Sequence, residues 1–212
     1  RGLVAETIDL TVKTGDSRAT LHGRLASNEA TLESAEIALP ENAPLQLARP
    51  ATIGWSPSLR IQKLDFSGGT ARIAVAWSTL EARRARVEIA DFPSTALRDF
   101  LPSAWPPWKL GALTLDGAWP EGPFEGSLQL EGEVEIADGR PAGIELAART
   151  RATQISIERF LIDDPTGPVL TVRGSVPVVL TPATAPFWRF EPSGRWSLTA
   201  ATTPASPFWT AQ

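Results

Sequence analysis

Four groups of residues in this 212-residue chain have types that could do chemistry: a lone histidine, a row of glutamates, a pair of aspartates and a cluster of arginines. His22 lies between Leu21 and Gly23 in an alternating run, so it reads as a strand residue. A zinc site or a nucleophile–base relay would need a second histidine or a thiolate, and the chain has neither. Glu131, Glu133 and Glu135 fall on one side of a strand at about 6.5–7 Å spacing. That overlaps the carboxylate separation of an inverting glycosidase. A general acid, however, needs an apolar setting to raise its pKa, and a row of like charges beside Gln129 reads as a face turned to water. Asp163 and Asp164 open the run Asp-Asp-Pro-Thr-Gly-Pro, which is turn chemistry; a calcium ion would need six or more oxygens. No glycine-rich phosphate cradle and no Gly-x-Ser-x-Gly occurs. The residues therefore predict no catalytic group, no metal ligand set and no cofactor.

Arg83, Arg84 and Arg86 form the basic cluster. Arg84 and Arg86 share a strand face with Glu88, which reads as charge mixing, with a lipid headgroup at a groove rim as the functional alternative. Of the eight tryptophans, Trp77 and Trp196 are in phase with apolar strand positions and are predicted to be buried. Trp105, Trp108, Trp119, Trp188 and Trp209 sit beside prolines or in loops. They read as rim or interface residues, or as ring platforms that could stack a sugar. With 24 acids against 20 bases and a net charge of −4, the chain lacks the basic face that phosphate neutralisation requires, which excludes a nucleic-acid partner.

The elements that must position these groups are strands. Period-2 alternation recurs in short runs bounded by Gly, Pro, Asn and Asp. Ile73, Val75 and Trp77 point one way and Arg72, Ala74 and Ala76 the other. Phe124, Gly126, Leu128, Leu130, Gly132, Val134 and Ile136 share one face opposite Glu125, Ser127, Gln129 and the glutamate row. Ile144, Leu146 and Ala148 continue the style, as do Leu170, Val172, Gly174, Val176 and Val178. Further strands are expected near 3–12, 18–26, 30–39, 59–66, 82–90, 110–118, 154–162 and 194–202. The phase shifts around Gln62–Lys63 and Glu158–Arg159, as a β-bulge would make it do. Turn signals at Gly68–Gly69, Asp138–Gly139 and 163–168 favour antiparallel hairpins. One segment, 94–101, has a helical stripe of Leu97, Phe100 and Leu101 with Ser94 or Thr95 as cap, ending at Pro102. A weak echo, apolar-x-apolar-x-Gly, ends at Gly23, Gly68, Gly117, Gly132 and Gly174, and predicts places where a neighbour packs closely. The longest apolar stretch, 176–180, is broken by Pro177 and falls far short of the ~20 residues of a spanning helix. Methionine is absent even at position 1, which reads as a piece of a longer chain.

Three stretches, Leu110-Gly-Ala-Leu-Thr-Leu-Asp-Gly117, Phe124-Glu-Gly-Ser-Leu-Gln-Leu-Glu-Gly132 and Leu170-Thr-Val-Arg-Gly-Ser-Val-Pro177, resemble the AsmA-like superfamily of the TamB/YdbH type. The resemblance covers 110–180 best and the first hundred residues in style. It implies an all-β fold: an elongated, twisted, mostly antiparallel sheet curled into a U-shaped apolar groove, with the helix at 94–101 as lid, plug or connector. It implies a first β segment at 1–92, a helix and Pro/Trp-rich connector at 93–108, and a second β segment at 109–212 continuing the sheet. The implied function is phospholipid transport between inner and outer membranes in the periplasm, within a protein anchored in the inner membrane. The partners it implies are phospholipid acyl chains, the rest of the same chain and an outer-membrane β-barrel protein. The residues expected against acyl chains are Ile73, Val75, Trp77, Leu113, Leu115, Leu128, Leu130, Val134, Ile136, Ile144, Leu146, Leu170, Val172 and Val176. The inward-facing strand residues as a whole are mainly Leu, Ile, Val and Ala, with few large rings to fill a closed centre, which suits a groove that stays open. The alternative is a carbohydrate-binding or adhesin-like β-sandwich, in which a second sheet would seal that face.

Overall fold

The computed structural model describes residues 6–40, 42–56, 58–78, 83–100, 106–119, 122–136, 139–182 and 187–203, apart from the side chains of 98–100 and 136. The alternating runs all become strands, because alternation gives a pleated ribbon one side to bury and one to hydrate. The chain divides into two units, Arg1–Trp105 and Pro106–Gln212.

The first unit contains β1 (Glu6–Thr14), β2 (Ser17–Leu25), β3 (Glu29–Ala38), β4 (Leu45–Leu47), β5 (Ala51–Gly54), β6 (Arg60–Gly68), β7 (Ala71–Ser78) and β8 (Arg84–Pro93). Each pairs antiparallel with its neighbour in a meander. Strands β4 and β5 are two halves of one course between β3 and β6. The course breaks at Ala48, Arg49 and Pro50, where proline offers no N–H to a ladder. Ala48 N–H instead donates to the Asp65 carbonyl at 2.8 Å. This course was not expected: each half is too short to show alternation.

Residues Ser94–Phe100 form a 3₁₀ helix, not the α-helix expected. Seven residues stopped by Pro102 are too few to develop a helical stripe, and short pieces often close as 3₁₀. Ala96 is the buried side chain there and Leu97 is half-buried. Leu101, the last residue of the expected stripe, lies outside the described residues.

The second unit contains β9 (Trp108–Ala118), β10 (Glu125–Ile136), β11 (Arg140–Arg151), β12 (Gln154–Asp164), β13 (Gly167–Val176), β14 (Val178–Leu180), β15 (Trp188–Phe190) and β16 (Ser197–Thr202). The sheet order is β9-β10-β11-β12-β13-β16, antiparallel throughout, while β14 and β15 make a separate two-stranded ribbon. The sheet is curled.

Five register shifts bend the ladders of the described residues, and apart from the one between Ile162 and Asp163 they follow one rule. Each of the other four lies where two apolar residues stand three apart instead of two: Leu32 and Ala35, Ile61 and Leu64, Leu110 and Leu113, Ile157 and Phe160. An extra residue on one strand restores the phase, so both apolar neighbours return to one face. Two of these are the bulges expected at Gln62–Lys63 and Glu158–Arg159, and Lys63 takes a positive φ of 37° to make its own.

The glycine echo has a steric cause. A Cβ on Gly23 or Gly68 would strike the backbone carbonyl of Thr31 or Pro44 across the ladder. Gly174 is the most constrained: its φ is 143°, and a Cβ would strike the Ser197 carbonyl of β16. Gly174→Ala is therefore expected to cost about 1–3 kcal/mol in urea unfolding and to release β16. Hydrogen exchange should show Ser197–Thr202 losing protection while β9 to β12 keep theirs.

Candidate functional site

Directly opposed residues in an antiparallel ladder share a face, so register shows which side chains line up. In the second unit one row runs Leu113–Leu130–Leu146–Phe160–Val172–Ala200 across six strands. The next runs Leu115–Leu128–Ala148–Ile157–Gly174–Leu198, and a third Leu110–Gly132–Ile144–Ile162–Leu170. Val134 stands between Trp108 and Ala142, and Val176 beside Ile155. Six strands at ~4.8 Å and four alternate positions at ~3.4 Å per residue make an apolar face of about 24 Å by 20 Å. The first unit repeats the arrangement: Leu10–Leu21–Ala35, then Leu47–Phe66–Ile73–Ile89, with Leu64–Val75–Val87 and Ile61–Trp77–Ala85 alongside.

Thirteen of the fourteen residues expected to line a groove have described side chains, and all thirteen are half-buried. Ile136 is placed in β10, and its side chain lies outside the description. Leu130 is the informative case. It has leucines on both sides and still keeps part of its surface free, whereas the centre of a sandwich would be sealed by the facing sheet. Among the described residues the buried apolar set is small, fourteen side chains of which five are alanine.

One end of the face in the second unit is covered. The Phe124 ring occupies the space a Cβ on Gly117 or Gly126 would need, which puts the ring over the apolar side. Trp119 lies 6.0 Å from it between centroids and is 2% exposed. Phe124 N–H donates to the Leu180 carbonyl at 2.7 Å, tying β14 to the start of β10, with Val178 and Val179 buried. Trp119 is therefore a core residue, not the rim residue its proline neighbour suggested. Trp196 errs the other way: expected buried, it is 59% exposed, because it precedes an edge strand with neighbours on one side only. Trp188 is exposed, Trp108 and Trp77 are half-buried, and Trp105 and Trp209 lie outside the described residues.

The opposite face is polar and laced across strands. Arg159 reaches Glu145 at 3.0 Å and Arg149 reaches Glu158 at 3.0 Å. Glu131, Glu133 and Glu135 are exposed, as a hydrated strand face requires. Asp164 accepts from Thr166 N–H at 2.8 Å, the aspartate turn its neighbours implied. Arg86 pairs with Glu88 at 2.6 Å. Asp65 is nearly buried and accepts from Arg72 Nε at 3.1 Å and Nη2 at 3.0 Å. Those bonds hold its carboxyl below the ordinary aspartate range, so their contribution to stability is present at neutral pH and is lost as pH falls through that lowered value.

His22 bridges three strands on this face. Its Nδ1 lies 2.7 Å from Asp9 on β1 and its Nε2 3.4 Å from Glu33 on β3, while Arg24 holds Glu33 at 2.7 Å. The hydrogen bond to Asp9, reinforced by its charge, raises the imidazole pKa. Among the described residues no trio of His, Asp or Glu converges to hold a metal ion. Scans against protein-family models, curated proteins and solved structures return no match to this chain.

A raised imidazole pKa means the His22 contribution is complete below its ordinary titration range and fades as pH rises through the raised value. Protection of β1 amides, corrected for intrinsic exchange, should therefore fall as pH rises through the raised imidazole pKa. In His22→Gln that pH dependence should disappear.

Proposed function

We propose that this chain is a segment of a periplasmic, bridge-like lipid transport protein, and that phospholipid moves between inner and outer membranes with its acyl chains against the apolar face. The carrying observation is the set of apolar rows that, among the described residues, no sheet covers except the short β14–β15 ribbon at one end. The resemblance to the AsmA-like superfamily points the same way, and implies an inner-membrane-anchored envelope protein that meets an outer-membrane β-barrel partner.

Size and chemistry suit the role. One leaflet's acyl chains extend over about 15 Å, half the hydrocarbon core, and the face of the second unit offers about 20 Å along its strands. Each methylene removed from water is worth about 0.8 kcal/mol, so a few contacts hold a chain. Transport also needs the lipid to leave each position. Along each row Leu, Ile and Val side chains recur every ~4.8 Å from strand to strand, with the polar Thr150 and Thr202 only toward the margins of the face, so neighbouring positions have similar affinity and no row is a deep trap. The zwitterionic or anionic headgroup stays at the margin, in water, because burying its charge would cost far more than the chain gains.

Native mass spectrometry of the purified chain should find bound phospholipid. Leu130→Arg should lower retained lipid about tenfold while leaving the melting transition nearly unchanged, since a half-buried arginine can extend its charged end to water. Glu131→Arg, one residue along on the polar side, should leave retention unchanged. Equal retention in all three proteins, or no lipid in any, rules the proposal out.

A further inference from the structure

The second unit leaves its sheet once, between β13 and β16, to form the β14–β15 ribbon. Strand β14 is buried, but the return side of the ribbon is exposed and aromatic. Trp188 is 55%, Phe190 52% and Trp196 59% exposed. Their rings touch in series, Trp188 to Phe190 at 5.4 Å and edge to face, Phe190 to Trp196 at 5.6 Å and tilted by 35°. The three leave roughly 400 Å² of ring surface in water, within the range of a functional patch.

The backbone here is tied down. Thr181 N–H donates to the Phe187 carbonyl at 2.8 Å, Glu191 N–H to Pro177 at 2.9 Å and Gly194 N–H to Glu191 at 3.0 Å. A Cβ on Gly194 would strike the Pro177 ring, so the turn is packed against the chain as it leaves β13. Arg189 and Arg195 interleave with the rings, both exposed and neither ion-paired with a described residue. The carboxylate of the ribbon, Glu191, accepts from the Ser193 hydroxyl at 2.9 Å.

Three kinds of partner could cover exposed rings. A sugar stacks best on a flat ring platform, and here the rings stand at 81° and 35° to one another. A second copy across a two-fold axis would bring four arginines together against only two Glu191 carboxylates, an excess of like charge that opposes the pairing. A bilayer surface meets both features. Indole and phenyl rings settle at the boundary between headgroups and chains, and a guanidinium pairs with phosphate through two parallel hydrogen bonds. We propose that the β14–β15 ribbon, with Trp196, is an interfacial anchor that docks this chain on a membrane carrying anionic phospholipid. This stands apart from carriage along the apolar face: it concerns attachment to a bilayer surface, through residues outside the groove set.

The test is flotation of the 212-residue chain with vesicles of phosphatidylcholine, with and without phosphatidylglycerol. The chain should float with the mixed vesicles, less so as salt is raised. Arg189→Gln with Arg195→Gln should weaken binding about thirtyfold, and Trp188→Ala with Trp196→Ala should abolish it. Hydrogen exchange over β9 to β13 should be unchanged in both, and Leu130→Arg should float like the parent chain. The proposal is overturned if the arginine variant floats as well as the parent, if no vesicle is bound at all, or if tryptophan fluorescence responds to soluble oligosaccharide while flotation is absent.

Discussion

The ladder register is the constraint on which the rest of the structure depends. Side chains alternate across a strand with a period of two, so a slip of one residue would carry every leucine of a strand to the wet side and every glutamate to the dry one. The chain contains four places where its apolar spacing is three, and without correction each would invert the remainder of a strand. The bulges absorb the odd residue, and the apolar rows stay continuous through them. The echo glycines belong to the same device: at Gly23, Gly68 and Gly174 a neighbouring backbone comes too close for any side chain.

Stability in such a molecule cannot come from a large sealed core. Half-burial of most inward residues yields only part of the 1.5–3 kcal/mol that full burial of each would give, and exposed ion pairs add at most about 1 kcal/mol each. The remainder rests on the extended backbone ladder, on the Trp119–Phe124 cluster with β14, and on the nearly buried Asp65 held by Arg72. An apolar face left partly open contributes less stability than the sealed interior of a sandwich would. The lack of a full second layer among the described residues thus links the energetics to the proposed carriage of acyl chains. The covered end near Phe124 limits where in the second unit a chain could lie.

Much of this was legible in the residues and their order. Alternation along 72–77, 124–136 and 170–178 dictated strands and their dry sides, the hairpin signals dictated antiparallel neighbours, and a phase shift of one residue announced the bulges at Gln62–Lys63 and Glu158–Arg159. These are local properties, set by covalent periodicity and turn chemistry. Tertiary structure decided what local pattern cannot encode: that 45–47 and 51–54 join into one course, that β14 and β15 leave the sheet, and that 94–100 tightens to 3₁₀. It also decided the tryptophans. Trp119 beside a proline became the most deeply buried ring among the described residues, packed against the Phe124 ring, while Trp196, in phase with Leu198, stayed in water because the strand it leads into is an edge. Phase tells a side chain which way to point, but burial depends on what distant segment arrives on that side.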